Sequence, residues 1–192
     1  ISSKEKEKNT YNNTKNFAVE VIDQKTNIAI ISAISHPDLG AMKRAIESNV
    51  QRKVTIAKPN EIKSLQDYNV LILYQPTTDF KTIFENNKGT GINTFIITGN
   101  NTDFNFLNQQ QDNLNFKMSG QKEDYLSVFN GQFNLFAADN IGFENLPPLQ
   151  NAFGTVTTKG AVSVLLSSKI RSIDTNSPLL AFAENQGKRA AY

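Results

Sequence analysis

What most restricts the fold of this chain is the way its apolar pattern changes period. "NIAIISAI" (27–34), "DYNVLILYQP" (67–76) and "NTFIITG" (93–99) are nearly unbroken apolar runs rich in β-branched residues. Runs of this kind are strands covered on both faces, because a strand with one wet face alternates instead. Between them the period becomes helical. "PDLGAMKRAIESNV" (37–50) places Leu39, Met42, Ile46 and Val50 on one face, and "TDFKTIFENNKG" (78–89) places Phe80, Ile83 and Phe84 likewise, with Gly89 expected at the C-cap. A short strand at 53–57 and a short helix at 101–110 complete the alternation. Strand and helix in turn predict an α/β fold: an open, mostly parallel sheet with helices on both faces.

The flanks read differently. Residues 1–16 are charged and Asn-rich with almost no large apolar side chain, which predicts a disordered lead-in or linker. "FAVEVI" (17–22) alternates as a half-buried strand does. Residues 117–156 scatter aromatics, glycine and a Pro-Pro pair, and predict long loops and short strands. Strands are expected at 155–159 and 162–170. "PLLAFAENQGKRAAY" (178–192) predicts a C-terminal β-hairpin turning at Asn185-Gln186-Gly187. Residues 17–192 are thus expected to form one domain, a fragment of a longer protein.

Composition narrows the chemistry. The chain has 192 residues, 39% of them hydrophobic, thirteen Phe and a formal net charge of +2. Nucleic-acid binding needs Lys and Arg clustered on one face, and they are dispersed here. No apolar run reaches the ~18–20 residues that span a bilayer, so this segment is not expected to insert in a membrane. The chain has no cysteine, which removes thiol nucleophiles, Cys-ligated zinc and disulfides together. No P-loop, dinucleotide-binding or nucleophile-elbow motif is present, and no cofactor is expected.

The one histidine, His36, stands in "SHPD" directly after the first run. This resembles the start of the zinc-dependent sugar N-deacetylases, where His-Pro-Asp-Asp-Glu follows the first strand. The resemblance implies a ligand at His36 and a base at Asp38, and it stops at Leu39 and Gly40, which cannot bind metal. The triplet also resembles the J-domain signature, which lies between helices and not after a strand. A structural role accounts for the same residues: Ser35 and Asp38 in a capping box, with Pro37 in the first turn. Three loops are expected to meet at the carboxyl edge of the sheet, where ligands of open α/β folds bind. Their candidate binding residues are Ser35, His36, Gln75, Thr78, Asn100 and Asn101, with no catalytic or metal-ligating residue among them. "TGNNTD" (98–103) reads either as an anion cradle or as an N-cap at Asn101 or Thr102.

In whole-domain order the chain resembles the class I glutamine-amidotransferase-like (flavodoxin-like) fold. The resemblance rests on "NIAIISAISHPDLGAMKRAIE", "YNVLILYQP", "NTFIITGNNTDFNFL" and the closing "NSPLLAFAENQGKRAAY". More narrowly, it is similar to such regions in large bacterial membrane-anchored proteins that carry a von Willebrand A-type domain. An active member of that family uses a Cys–His–acid triad. The matching turn here is Gly99-Asn100-Asn101-Thr102, and the only histidine comes early, so the resemblance implies the fold without the activity. It further implies a ligand-binding or protein-interaction module in an envelope protein, facing the periplasm, with other domains or an envelope protein as partner. A cytoplasmic location is the alternative. Two other roles remain open at this point: a metal-assisted hydrolase using His36 and Asp38, and a structural spacer.

Overall fold

The computed structural model describes residues 25–192. The expected lead-in at 1–16 and strand at 17–22 lie outside the described residues. An α/β fold with a mixed nine-stranded sheet results, in the order β2-β1-β3-β4-β9-β8-β7-β5-β6.

The first half follows the periodicity. β1 (Thr26–Ser32), β2 (Arg52–Ala57), β3 (Val70–Tyr74) and β4 (Asn93–Ile97) form parallel ladders. Helices α1 (Pro37–Glu47), α2 (Lys81–Thr90) and α3 (Phe104–Gln110) cover them. Alternate strand residues serve opposite faces, as the pleat requires. Ile28, Ile30 and Ile72 pack with Leu39 of α1, while Ala29, Ile31, Leu71 and Leu73 pack with Ile83 and Phe84 of α2 and with Phe106 and Leu107 of α3. Helices therefore lie on both faces, as expected.

The second half corrects one expectation. Residues 114–158 are not mainly loop. β5 (Leu114–Phe129) and β6 (Leu149–Thr158) are long antiparallel partners, and the irregular stretch is confined to the connection between them. β5 crosses to β7 (Val162–Ile170) after Tyr125, and a register shift between Met118 and Lys122 bends its pairing with β6. These bends, together with Gly120 and the charges at 122–124, interrupt the alternation that marks a strand. The sheet is accordingly mixed, with the expected parallel set in the first half and antiparallel strands in the second. The four parallel ladders end with β4 against β9 (Lys188–Ala191), and four antiparallel ladders follow, from β9–β8 (Ile173–Asn185) outward to β5–β6. The closing hairpin is present at the expected turn: Gln186 (φ 51°) and Gly187 (φ 78°) both take positive φ, the geometry of a type I′ turn.

Helix boundaries shift for local reasons. α1 ends at Glu47, where the Ser48 N–H bonds back to Arg44 O and Ser48 Oγ to Ala45 O. Val50 thus falls in the following turn, 83% exposed, and not on the buried face. α2 runs through Gly89 and stops two residues later at Gly91, whose left-handed φ of 68° closes the helix. No helix among the described residues is long and apolar enough to cross a membrane.

Candidate functional site

The order β2-β1-β3-β4 makes the chain leave β1 in one direction across the sheet and β3 in the other. The carboxyl ends of β1 and β3 therefore stand at a topological switch point, with the crevice of this fold class beside it. A cavity of about 560 Å³ opens there. Its polar end is formed by His36 and Asp38 after β1, Tyr74 and Gln75 at the end of β3, and Thr98 and Asn100 after β4. The opposite wall comes from the antiparallel half, including Tyr125, Gln150, Asn151, Leu180 and Tyr192.

His36 is the N-cap of α1. Its extended backbone (φ −144°, ψ 144°) starts the helix, and its Nδ1 accepts the Asp38 N–H at 3.3 Å. The expected Ser35–Asp38 capping box is thus corrected: a ring nitrogen takes the orphan N–H, and the Asp38 carboxylate is left for another partner. That partner is Tyr74, which donates its O–H to Asp38 Oδ2 at 2.9 Å, with His36 Nδ1 3.0 Å from the same hydroxyl. Pro37 sits in the first turn, where its missing N–H costs no hydrogen bond.

Tyr74 is 3% exposed. Burial first, and then the neighbouring Asp38, push its phenol up to about 12, against a lowering by the Gln75 amide. It stays a hydrogen-bond donor at physiological pH and is no phenolate nucleophile. The sign of the linked stability follows. The folded state keeps a proton that the unfolded chain loses near 10, so the contribution is complete below pH 10 and is lost as pH rises toward 12. At full size it amounts to ~3 kcal/mol. Tyr74→Phe is expected to flatten the fall in melting temperature between pH 10 and 12, measured by circular dichroism. An unchanged slope would assign that fall to Tyr125 and Tyr192, which burial also raises.

Gln75 follows at φ 50°, a left-handed conformation that a side chain adopts only when its surroundings enforce it. Here they do. Its N–H bonds to Ile97 O at 2.7 Å, and its Oε1 accepts both the Asn101 N–H (2.9 Å) and Asn101 Nδ2 (3.1 Å). Gly99 makes the approach possible, since a Cβ there would stand 2.6 Å from Gln75 Cδ.

Of the two readings of 98–103, the loop's own hydrogen bonds speak against the anion cradle. The N–H groups of Gly99, Asn101, Thr102 and Asp103 bond to Thr102 Oγ1, Gln75 Oε1, Gly99 O and Pro76 O. The helix cap is Asp103, not Asn101 or Thr102: its Oδ1 accepts the Phe106 N–H at 2.9 Å. The loop is tied to β6 instead, through Asn100 Nδ2 to Gln150 Oε1 (3.4 Å) and Asn151 Nδ2 to Thr98 Oγ1 (3.2 Å).

Of the six residues expected at the binding edge, His36, Gln75 and Asn100 line the cavity, and Asn101 supports Gln75 from behind. Ser35 and Thr78 are exposed and do not line it. Tyr74 stands in the edge loop 74–78 that the sequence predicts but was not among the candidate residues, and the contribution of the β5–β8 wall to the cavity was missed. Tyr74 carries one signal that marks it, a polar tip closing an otherwise aliphatic strand. With no cysteine the chain lacks the nucleophile of a Cys–His–acid triad. Among the described residues no group of three His, Cys, Asp or Glu side chains is placed to hold a metal ion. No protein-family model matches the sequence, and no curated protein matches it.

Proposed function

We propose that this chain is a non-catalytic α/β domain of glutamine-amidotransferase-like kind, serving as a ligand-binding or protein-interaction module of a larger envelope protein. The observation that carries the reading is the cavity at the carboxyl ends of β1, β3 and β4. It lies where enzymes and binding proteins of this fold class hold their ligands, yet its polar residues are hydrogen-bonded to one another and include no cysteine. The family resemblance of the strand and helix segments supplies the wider setting: an extracytoplasmic position in a membrane-anchored protein, with neighbouring domains or an envelope protein as partners. A spacer has no use for such a cavity. A metal-assisted hydrolase on His36 and Asp38 finds no third His, Cys, Asp or Glu ligand among the described residues.

The test is turnover. Ammonia release from glutamine and acetate release from N-acetyl sugars, each with zinc added, are expected to stay at background. Robust turnover abolished by His36→Ala would overturn the non-catalytic reading.

A further inference from the structure

We infer that the cavity takes an amphiphilic organic cation, with an ammonium head on Asp38 and an apolar body between the sheet's two halves. This rests on the binding role proposed above and names the class of ligand.

The charge of the lining points there. Among the described residues that line the cavity, Asp38 is the only carboxylate, and there is neither lysine nor arginine. Phosphates and carboxylates are recognised by guanidinium or ammonium groups, or by clusters of free backbone N–H groups. The 98–103 loop has spent four of its N–H groups on internal acceptors, as described above. An anionic head would therefore meet the Asp38 carboxylate with no lysine or arginine to offset it, the one basic group beside it being the His36 ring, whose Nδ1 lies 3.3 Å from Asp38 Oδ2.

Asp38 is equipped for the opposite partner. Its Oδ2 is held by the Tyr74 hydroxyl at 2.9 Å, which orients the carboxyl group, while its Oδ1 has no hydrogen-bond partner among the described residues. Its side chain is 59% exposed. The Gln75 amide is pinned at Oε1 by two donors from Asn101. Beyond this polar end the lining turns apolar, through Ile97, Phe116, Val156, Leu166, Leu180 and Tyr192. A cavity with one charged corner and a long apolar wall favours a ligand built the same way.

Three probes with the same aryl-alkyl body separate the possibilities: 4-phenylbutylamine, 4-phenylbutan-1-ol and 4-phenylbutyrate. Each is titrated into the full chain at neutral pH, with binding followed by ligand-detected NMR. The amine is expected to bind about tenfold more tightly than the alcohol, a difference of the size one charge-assisted hydrogen bond supplies, and the carboxylate most weakly. Asp38→Asn keeps the shape of the corner and its acceptor for Tyr74. It is expected to bring the amine down to the alcohol's affinity and leave the alcohol unchanged. Equal binding of all three, tightest binding by the carboxylate, or an amine preference that survives Asp38→Asn would each overturn the cation assignment while leaving a binding role intact. No binding by any probe would count against the cavity as a ligand site and so against both readings.

Discussion

Phe80→Ala is expected to lower the unfolding free energy by about 3–5 kcal/mol, among the largest losses any single truncation in this chain can cause. Phe80 is wholly buried and belongs to the larger of the two cores, together with Leu71, Leu73, Ile83 and Ile96. It closes the 3-10 turn Thr78–Phe80 and is the N-cap residue of α2, so its ring fixes that helix against β3 and β4. Truncation removes the apolar transfer energy and leaves a cavity between a strand and a helix that are each anchored elsewhere, which limits collapse. In a urea titration followed by circular dichroism the midpoint should fall with the slope unchanged, as for a pure stability effect. Phe136→Ala is the control. Phe136 is 47% exposed, and its loss is expected to cost well under half as much. A loss below about 1 kcal/mol for Phe80→Ala would mean that α2 does not rest on this ring.

The consequence reaches the site, because Phe80 follows Gln75 by one short turn. The Phe80 N–H bonds to Thr77 O, and Pro76 O accepts the Asp103 N–H. Gln75 thus holds its left-handed backbone between a packed turn on one side and the 98–103 loop on the other. Strain of this kind persists only where the surroundings over-determine it.

That dependence explains which parts of the molecule were legible in the sequence. The βα units were legible because their burial repeats at a fixed period: each apolar residue of "NIAIIS" or "VLILY" serves one face or the other, and no long-range fact is needed. The hairpin at Gln186-Gly187 was legible because its turn chemistry is local. The cap of α1 was assigned to the wrong residue because Ser and Asp fit a familiar pattern. A histidine ring accepting an N–H is an equivalent solution, and only the Tyr74 hydroxyl, 36 residues away, decides where the Asp38 carboxylate goes. Of the second wall the strands near 155–159, 162–170 and 178–192 were legible, but β5 and the placement of this wall across from the βα half were not. β5 carries polar and charged residues on both faces from Lys117 to Asp124, so alternation fails there, and β6 opens, after Leu149, on polar residues before its alternation begins. Their pairing is set by contacts with each other and not by a pattern within either strand. The site was therefore half visible: its βα side follows from period and topology, and its antiparallel side from non-local pairing.

Gly154 carries that non-local pairing, and Gly154→Ala is expected to be the second severe change. Gly154 lies opposite Met118, next to the register shift where β5 bends over β6. A methyl group there would collide with the Lys117 carbonyl oxygen and approach Met118 Cα to 2.7 Å and Met118 Sδ to 2.9 Å. Two of these atoms are backbone, so no rotamer change relieves the clash and the ladder itself must open. Overpacking of this sort costs about 1–3 kcal/mol, and more where the neighbour is main chain. The Gly154 N–H also donates to the Tyr125 hydroxyl at 3.2 Å, and both residues line the cavity, so the opening should loosen the wall as well as the sheet. Amide hydrogen exchange provides the measurement: protection in 114–118 and 154–158 should fall in Gly154→Ala, while β1, β3 and β4 keep theirs. Gly120→Ala separates sterics from any general cost of replacing glycine in β5–β6, because an added Cβ there meets nothing within 4 Å. Surface changes of that kind stay within about 0.5 kcal/mol. If Gly154→Ala proved as mild as Gly120→Ala, β5 would have room to move away from β6, and the cavity would be bounded by a wall free to shift.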